Sequence, residues 1–116
     1  MTDTQAIYEQ ENCWPANLPT RGGLARMMAA QAYEVPLEDV AAATRRHPRA
    51  ALARQVAMYL SPVVFGMTMS QIAFEFGRDR TTASHACHRI EEMREDPDLD
   101  RLLEWLEKQL RGAATP

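Results

Sequence analysis

Arg80, Thr81, Ser84, His85 and His88 alternate with apolar Ala83, Ala86, Cys87, Ile90 and Met93, which recur every three or four residues. On a helix the apolar set forms one buried stripe and turns the polar set to the free face. Guanidinium, hydroxyl and imidazole groups on one helix face suit the edges of base pairs. Arg bonds guanine in bidentate fashion, and the Thr methyl meets the thymine methyl. Other chemistry finds no support. No Ser–His–Asp or paired-carboxylate arrangement can be argued, so no enzyme activity is expected. His85 and Cys87 cannot share a metal ion, because helical residues two apart project about 200° from each other. Asp96, Asp98 and Asp100 lack the Gly and closing Glu of a calcium loop. They suit a helix N-terminus instead. No cofactor and no metal are expected.

The elements that position this face are legible on either side of it. Thr68-Met-Ser-Gln71 fits a capping box, with Thr68 as N-cap. The helix that follows buries Ile72, Ala73 and Phe76, and Gly77 suits a left-handed C-terminal position. After Arg78, Asp79 is a good N-cap for the second helix. Two helices joined by a tight Gly-containing turn make a helix-turn-helix, here over residues 68–93. The second helix of such a unit enters the major groove with its N-terminal residues nearest the bases.

Upstream, helical periodicity begins at Gly23 and places Leu24, Met27, Met28 and Tyr33 on one face. Pro36 opens a short helix, Leu37 to about Ala43. The Arg-rich connector Thr-Arg-Arg-His-Pro-Arg leads to a helix from about Arg49 to Leu60, with Leu52, Val56, Tyr59 and Leu60 inward. Pro62 should disturb or end it, since proline cannot donate to the preceding turn. A last helix, about Asp98 to Leu110, buries Leu99, Leu102, Leu103, Leu106 and Leu110. No strand alternation and no repeat occur, so the expected fold is all-α, with five to six helices. Residues 1–20 read as a flexible acidic arm, 21–111 as the helical domain and 112–116 as a disordered tail.

A chain of 116 residues is one domain by length. Its net charge of −3 hides a segregation. Residues 45–89 hold seven Arg (45, 46, 49, 54, 78, 80 and 89) against Glu75 and Asp79, while residues 90–110 hold eight acids against three bases. A basic block between acidic ends creates a local positive field that the total conceals. The cysteines, Cys13 and Cys87, have no ligand-type spacing, which fits a reducing cytosol. No apolar run reaches the roughly 18 residues that span a bilayer. No membrane partner is therefore expected, and the expected location is cytoplasmic, at the nucleoid.

The run Phe76–Pro97, FGRDRTTASHACHRIEEMREDP, resembles the signature of the C-terminal DNA-binding domain (domain IV) of the bacterial replication initiator DnaA. That family opens its recognition helix with Gly-Arg-Asp-His-Thr-Thr, followed by His-Ala-Cys and a Lys/Arg-Ile pair. LARQVAMYL resembles the family's Arg-Gln-hydrophobic-Ala-Met helix, and ATRRHPR occupies its basic loop. The resemblance covers about Gly23 to Pro97. It implies that Arg46 inserts into the minor groove and that Arg54 and Gln55 hold the backbone or groove edge. It further implies that Asp79, Arg80, Thr81 and His85 read the major groove while Thr82 contacts phosphate. Arg45, Arg49, Arg78 and Ser84 complete the expected DNA-binding set.

The departures from the family carry information. Only Gly77 precedes Arg78, where the family commonly has two glycines. Arg80 stands where the family usually has His, Ala53 replaces a usual Pro, and Pro62 falls where a basic phosphate contact is often found. The initiator is an ATPase, whereas this chain has no G-x-x-x-x-G-K-[ST] loop and Lys108 is its only lysine. No nucleotide is expected to bind. The pattern resembles short stand-alone regulators built on this domain, including activators of gene transfer agent clusters.

The expected function is sequence-specific binding of double-stranded DNA by a transcription regulator. Trp14 in the arm either packs back on the core, the commoner outcome for a large aromatic, or anchors transcription machinery or another regulator. A replication regulator at initiator-type boxes is one rival. A helical protein–protein adaptor is another, of a different class, and the basic block argues against it.

Overall fold

Local capping decides where most of the helices begin and end. In the computed structural model, which describes residues 19–41 and 47–114, helix α1 (Arg21–Tyr33) starts at Thr20, whose hydroxyl accepts from the Gly23 N–H at 3.0 Å. It stops at Glu34, which takes the left-handed conformation (φ 56°). Pro36 then opens α2 (Leu37–Ala41), with Glu38 and Asp39 in its first turn and Val40 fully buried. Residues 1–18 of the acidic arm and 42–46 of the basic connector, with Arg45 and Arg46, lie outside the described residues.

The buried face of α1 differs from expectation. Leu24, Ala25, Ala29 and Ala30 are buried, while Met27 is 43% exposed. The partner explains this: α1 packs most extensively on α3 (Pro48–Phe65), whose Ala53 and Ala57 are buried in the same cluster as Ala25, Ala29 and Ala30. Small residues on both helices let the backbones approach closely, and Met27 stays 43% exposed, off the alanine face. Ala53, which departs from the family pattern, is one of them and is fully buried.

Helix α3 also corrects the expected stop. It runs through Pro62 to Phe65 and ends at Gly66 (φ 67°). Pro62 has no N–H for the carbonyl of Met58, four residues back. That carbonyl accepts instead from Cys87 Sγ at 3.5 Å, across the interface with the helix that carries Cys87. Burial pushes the Cys87 thiol upward, which keeps it protonated and able to donate. The extra turn brings Val64 and Phe65 against the core.

Helices α4 (Met69–Phe76) and α5 (Arg80–Met93) form the expected pair, followed by α6 (Pro97–Ala114). Residues 112–114, expected in a tail, are helical. Leu103, Leu106 and Leu110 of α6 are fully buried beneath α1 and α3. Helix α3 is the centre of the bundle, with α1, α5 and α6 laid around it. The described residues contain six helices and no strand, and no helix among them is long and apolar enough to cross a membrane.

Candidate nucleic-acid interface

The turn between α4 and α5 is built from two caps and one glycine. The Thr68 hydroxyl accepts from Gln71 N–H at 3.1 Å, and the Gln71 side chain accepts from Thr68 N–H at 2.9 Å. Gly77 takes φ 64°, a region open to glycine at little cost, and closes α4. Asp79 then accepts from Thr82 N–H through Oδ1 at 2.7 Å. That hydrogen bond to the backbone holds its carboxyl below the usual carboxylate range. Asp79 is thus tied to the helix start through one oxygen.

The first helix of the pair is held from behind. Arg26 of α1 donates from Nη1 to the Glu75 carbonyl at 3.3 Å and stacks over the Phe76 ring at 4.7 Å. Gly22 lies so near the Glu75 side chain that a Cβ there would collide with it. At the other end of α5, Arg94 bonds Asp100 through Nε at 2.6 Å and both Glu107 and the Tyr59 hydroxyl through Nη1 at 2.8 Å. In the sequence Arg94 is only a neighbour of a solvated acidic face. In the fold it fastens α5 to α3 and α6.

Between those anchors the free surface of α5 divides in two. Ala83, Ala86 and Ile90 are buried, while Arg80, Thr81, Thr82, His85 and His88 are exposed and Ser84 is half-buried. Thr81, His85 and His88 follow each other at helical spacing along the outward side. Thr82, His85 and Arg89 form the wall of a cleft of about 360 Å³ between α3 and α5. Arg54 and Gln55 line it from α3 and Arg78 from the turn before α5, and Met58 and Ala86 supply apolar lining. Among the described residues, no carboxylate lines it.

Arg54 has a second task that the sequence did not show. It donates from Nε to the Val40 carbonyl at 2.8 Å and from Nη2 to the Asp39 carbonyl at 3.2 Å. It therefore ties the end of α2, just before the basic connector, to the cleft. Burial, and next the like charge of Arg78, lower its pKa. Arg54→Lys keeps the charge and gives up the planar fork. It is expected to raise amide exchange around Val40 by about five- to tenfold, the equivalent of one lost hydrogen bond of roughly 1 kcal/mol. Hydrogen-exchange mass spectrometry checks this.

Of the sequence-derived site, Arg54, Gln55, Arg78, Thr82 and His85 come together around the cleft, and Arg80 and Thr81 sit beside it at the start of α5. Arg49 is exposed in the first turn of α3, apart from the residues lining the cleft. Arg89 was missed. Its signal was available, since Thr82, His85 and Arg89 share one helix face at spacings of three and four.

Residues 27–90 match the family described as the bacterial dnaA protein helix-turn-helix. The chromosomal replication initiator protein DnaA of Caldanaerobacter subterraneus subsp. tengcongensis is 37% identical over 81 residues, covering 69% of this chain and 18% of that protein. The DnaA of Thermoanaerobacter pseudethanolicus matches to the same extent. The chain thus spans about a fifth of the length of these relatives. Among solved structures, a crystal structure of a DNA replication initiation factor superposes with a TM-score of 0.75 at 28% identity, over 96% of this chain and 32% of that one. The replication initiator DnaA bound to AMPPCP and single-stranded DNA gives 0.68 at 26% identity, over 97% and 32%. The caps at Thr68 and Asp79, the turn at Gly77 and the match over residues 27–90 agree: this chain belongs to the bacterial DnaA helix-turn-helix family.

Proposed function

We propose that this chain binds double-stranded DNA sequence-specifically, without catalysis of its own, and acts as a bacterial transcription regulator at promoters. The observation that carries the reading is the surface of α5: an exposed polar stripe led by Arg80 and Thr81, flanked by an arginine-lined cleft. The stripe supplies base-edge groups and the cleft supplies phosphate-binding groups, the two classes of contact that a groove-reading helix needs. Arg46, in the basic connector, is assigned to the adjacent minor groove, where a narrow A/T-rich segment attracts an inserted guanidinium.

Arg80 supports the specific function over a merely structural one. It occupies the first position of α5, where the positive end of the helix dipole disfavours a cation by about 0.3–1 kcal/mol. Its side chain is exposed and makes no hydrogen bond or ion pair with another described residue. A charge kept at an unfavourable place without an internal partner points outward to a ligand. The Arg fork matches O6 and N7 of guanine, a contact worth roughly 1–3 kcal/mol against a wrong base.

The test is selection from a randomised duplex library by the wild type and by Arg80→His. The wild type is expected to select a G·C pair opposite Arg80, and the variant to move that position toward A·T. Discrimination at that position should change by about 10- to 100-fold, the equivalent of that contact. If both proteins select the same base at every position, Arg80 is a backbone contact. A second reading, a replication regulator at initiator-type boxes, is favoured by the names of the curated relatives. Genome-wide mapping of bound DNA separates the two: promoter occupancy supports regulation of transcription, and origin occupancy supports regulation of replication.

A further inference from the structure

The three arginines around the α3–α5 cleft are held differently. Arg54 is fixed to the carbonyls of Val40 and Asp39, and Arg78 gives Nη1 to those of Phe76 and Gly77, each at 3.3 Å. Both guanidinium groups are oriented by backbone before any ligand arrives. Arg89, from the third turn of α5, is exposed and makes no hydrogen bond or ion pair with another described residue. It is the unengaged member of the set.

The remaining lining defines what the cleft takes. The Gln55 amide, Thr82 hydroxyl and His85 imidazole add hydrogen-bonding groups, and Met58 and Ala86 add an apolar surface. Three like charges facing one space repel one another, as the lowering of Arg54 by Arg78 reflects. An anion relieves that repulsion. An isolated phosphate would leave the apolar lining uncovered, whereas a nucleic-acid backbone offers a sugar to it. Along α5, Thr82 and Arg89 stand seven residues apart, about 10.5 Å of helix rise. A span of that length exceeds the reach of a single phosphate, so Thr82 and Arg89 meet different phosphates of one strand.

We propose that Arg89 is a DNA-contact residue that closes the outer end of this cleft on a second phosphate of the strand held at Arg54 and Thr82. The cleft then tracks a short stretch of one backbone, and Arg89 sets how far along the strand the contact extends. The inference rests on the duplex-binding reading of α5 and adds a backbone contact to it. Glu92, one turn further and exposed, marks where the favourable surface ends, since a carboxylate there faces phosphate with like charge.

The experiment compares wild type, Arg89→Ala and Arg89→Lys, titrated against one selected duplex and against duplexes with single base changes, over a range of salt. Arg89→Ala is expected to weaken binding about eightfold at 0.1 M salt and to make the slope of log K against log salt shallower by about 0.9, the value of one phosphate contact. The loss should be the same for every duplex. Arg89→Lys should keep the wild-type slope, because a point charge displaces the same counterion. Thermal melts should coincide for the three proteins, since the side chain is exposed. An unchanged slope and affinity in Arg89→Ala would overturn the proposal, as would a loss confined to one base position. Failure of the wild type itself to bind duplex DNA in a salt-dependent way would overturn the duplex reading, and the Arg89 contact with it.

Discussion

Raising monovalent salt from 50 to 200 mM is expected to weaken the complex with duplex DNA about 500-fold, a log–log slope near −4.5 for about five neutralised phosphates. The residues responsible are arginines of the basic block other than Arg80, of which Arg49, Arg54, Arg78 and Arg89 are placed by the structure. The overall charge of −3 argues for the opposite behaviour, a chain repelled by DNA at low salt. Charge at the contact decides the outcome, because fields are screened over about 10 Å at 0.1 M salt while bound phosphates sit well inside that distance. The eight acids of residues 90–110 belong to the end of α5, the turn after it and α6, beyond the N-terminal turns proposed to enter the groove. Fluorescence anisotropy across a salt series measures the slope. A value near zero would rule out the DNA-binding reading, and a value near −1 would reduce the interface to a single phosphate.

Replacing Arg94 with Ala is expected to lower the melting temperature by more than about 10 °C. Its guanidinium joins Asp100, Glu107 and the Tyr59 hydroxyl, with only 20% of the Arg94 side chain and 12% of the Glu107 side chain exposed. Removing one partner of a largely buried ion pair leaves the other uncompensated, at a cost of about 3 kcal/mol. For a domain of this size, each 1 kcal/mol moves the midpoint by roughly 4–8 °C. Asp100, 40% exposed, contributes less than Glu107, because water already solvates much of it. The contrast is Arg101→Ala. Its pair with Asp98 is 72% and 86% exposed, so its loss should cost less than about 1 kcal/mol. Calorimetric melts of both variants check the difference. Equal, small shifts would mean that the Arg94 cluster is solvated in solution and does not fasten α5.

The local parts of the interface are legible in the amino-acid sequence. Thr68 with Gln71, Gly77, and Asp79 with Thr82 act over three residues or fewer, so residue type and spacing suffice to place the turn and both caps. The buried stripe of α5 follows from helical periodicity for the same reason. Pro62 shows where local reasoning stops. The missing donor is readable, but the group that compensates for it, Cys87, lies 29 residues away from the Met58 carbonyl.

The sequence by itself determined the helix-turn-helix, its exposed residues and the basic block, because each depends on neighbours along one helix or on counting charge. Only the tertiary structure decided the rest. It joined Arg54 to Val40, Arg26 to Glu75 and Arg94 to Tyr59, across 14, 49 and 35 residues. It also chose alanines over Met27 for the face of α1, and it gathered Arg54, Arg78 and Arg89 around one cleft. The physical reason is common to all of these. A long side chain on a helix reaches several partners at similar cost, and which partner it takes depends on the angle and distance at which helices pack. Those are set by the shape of the whole core, in which every buried side chain takes part and which no single stretch of the chain encodes.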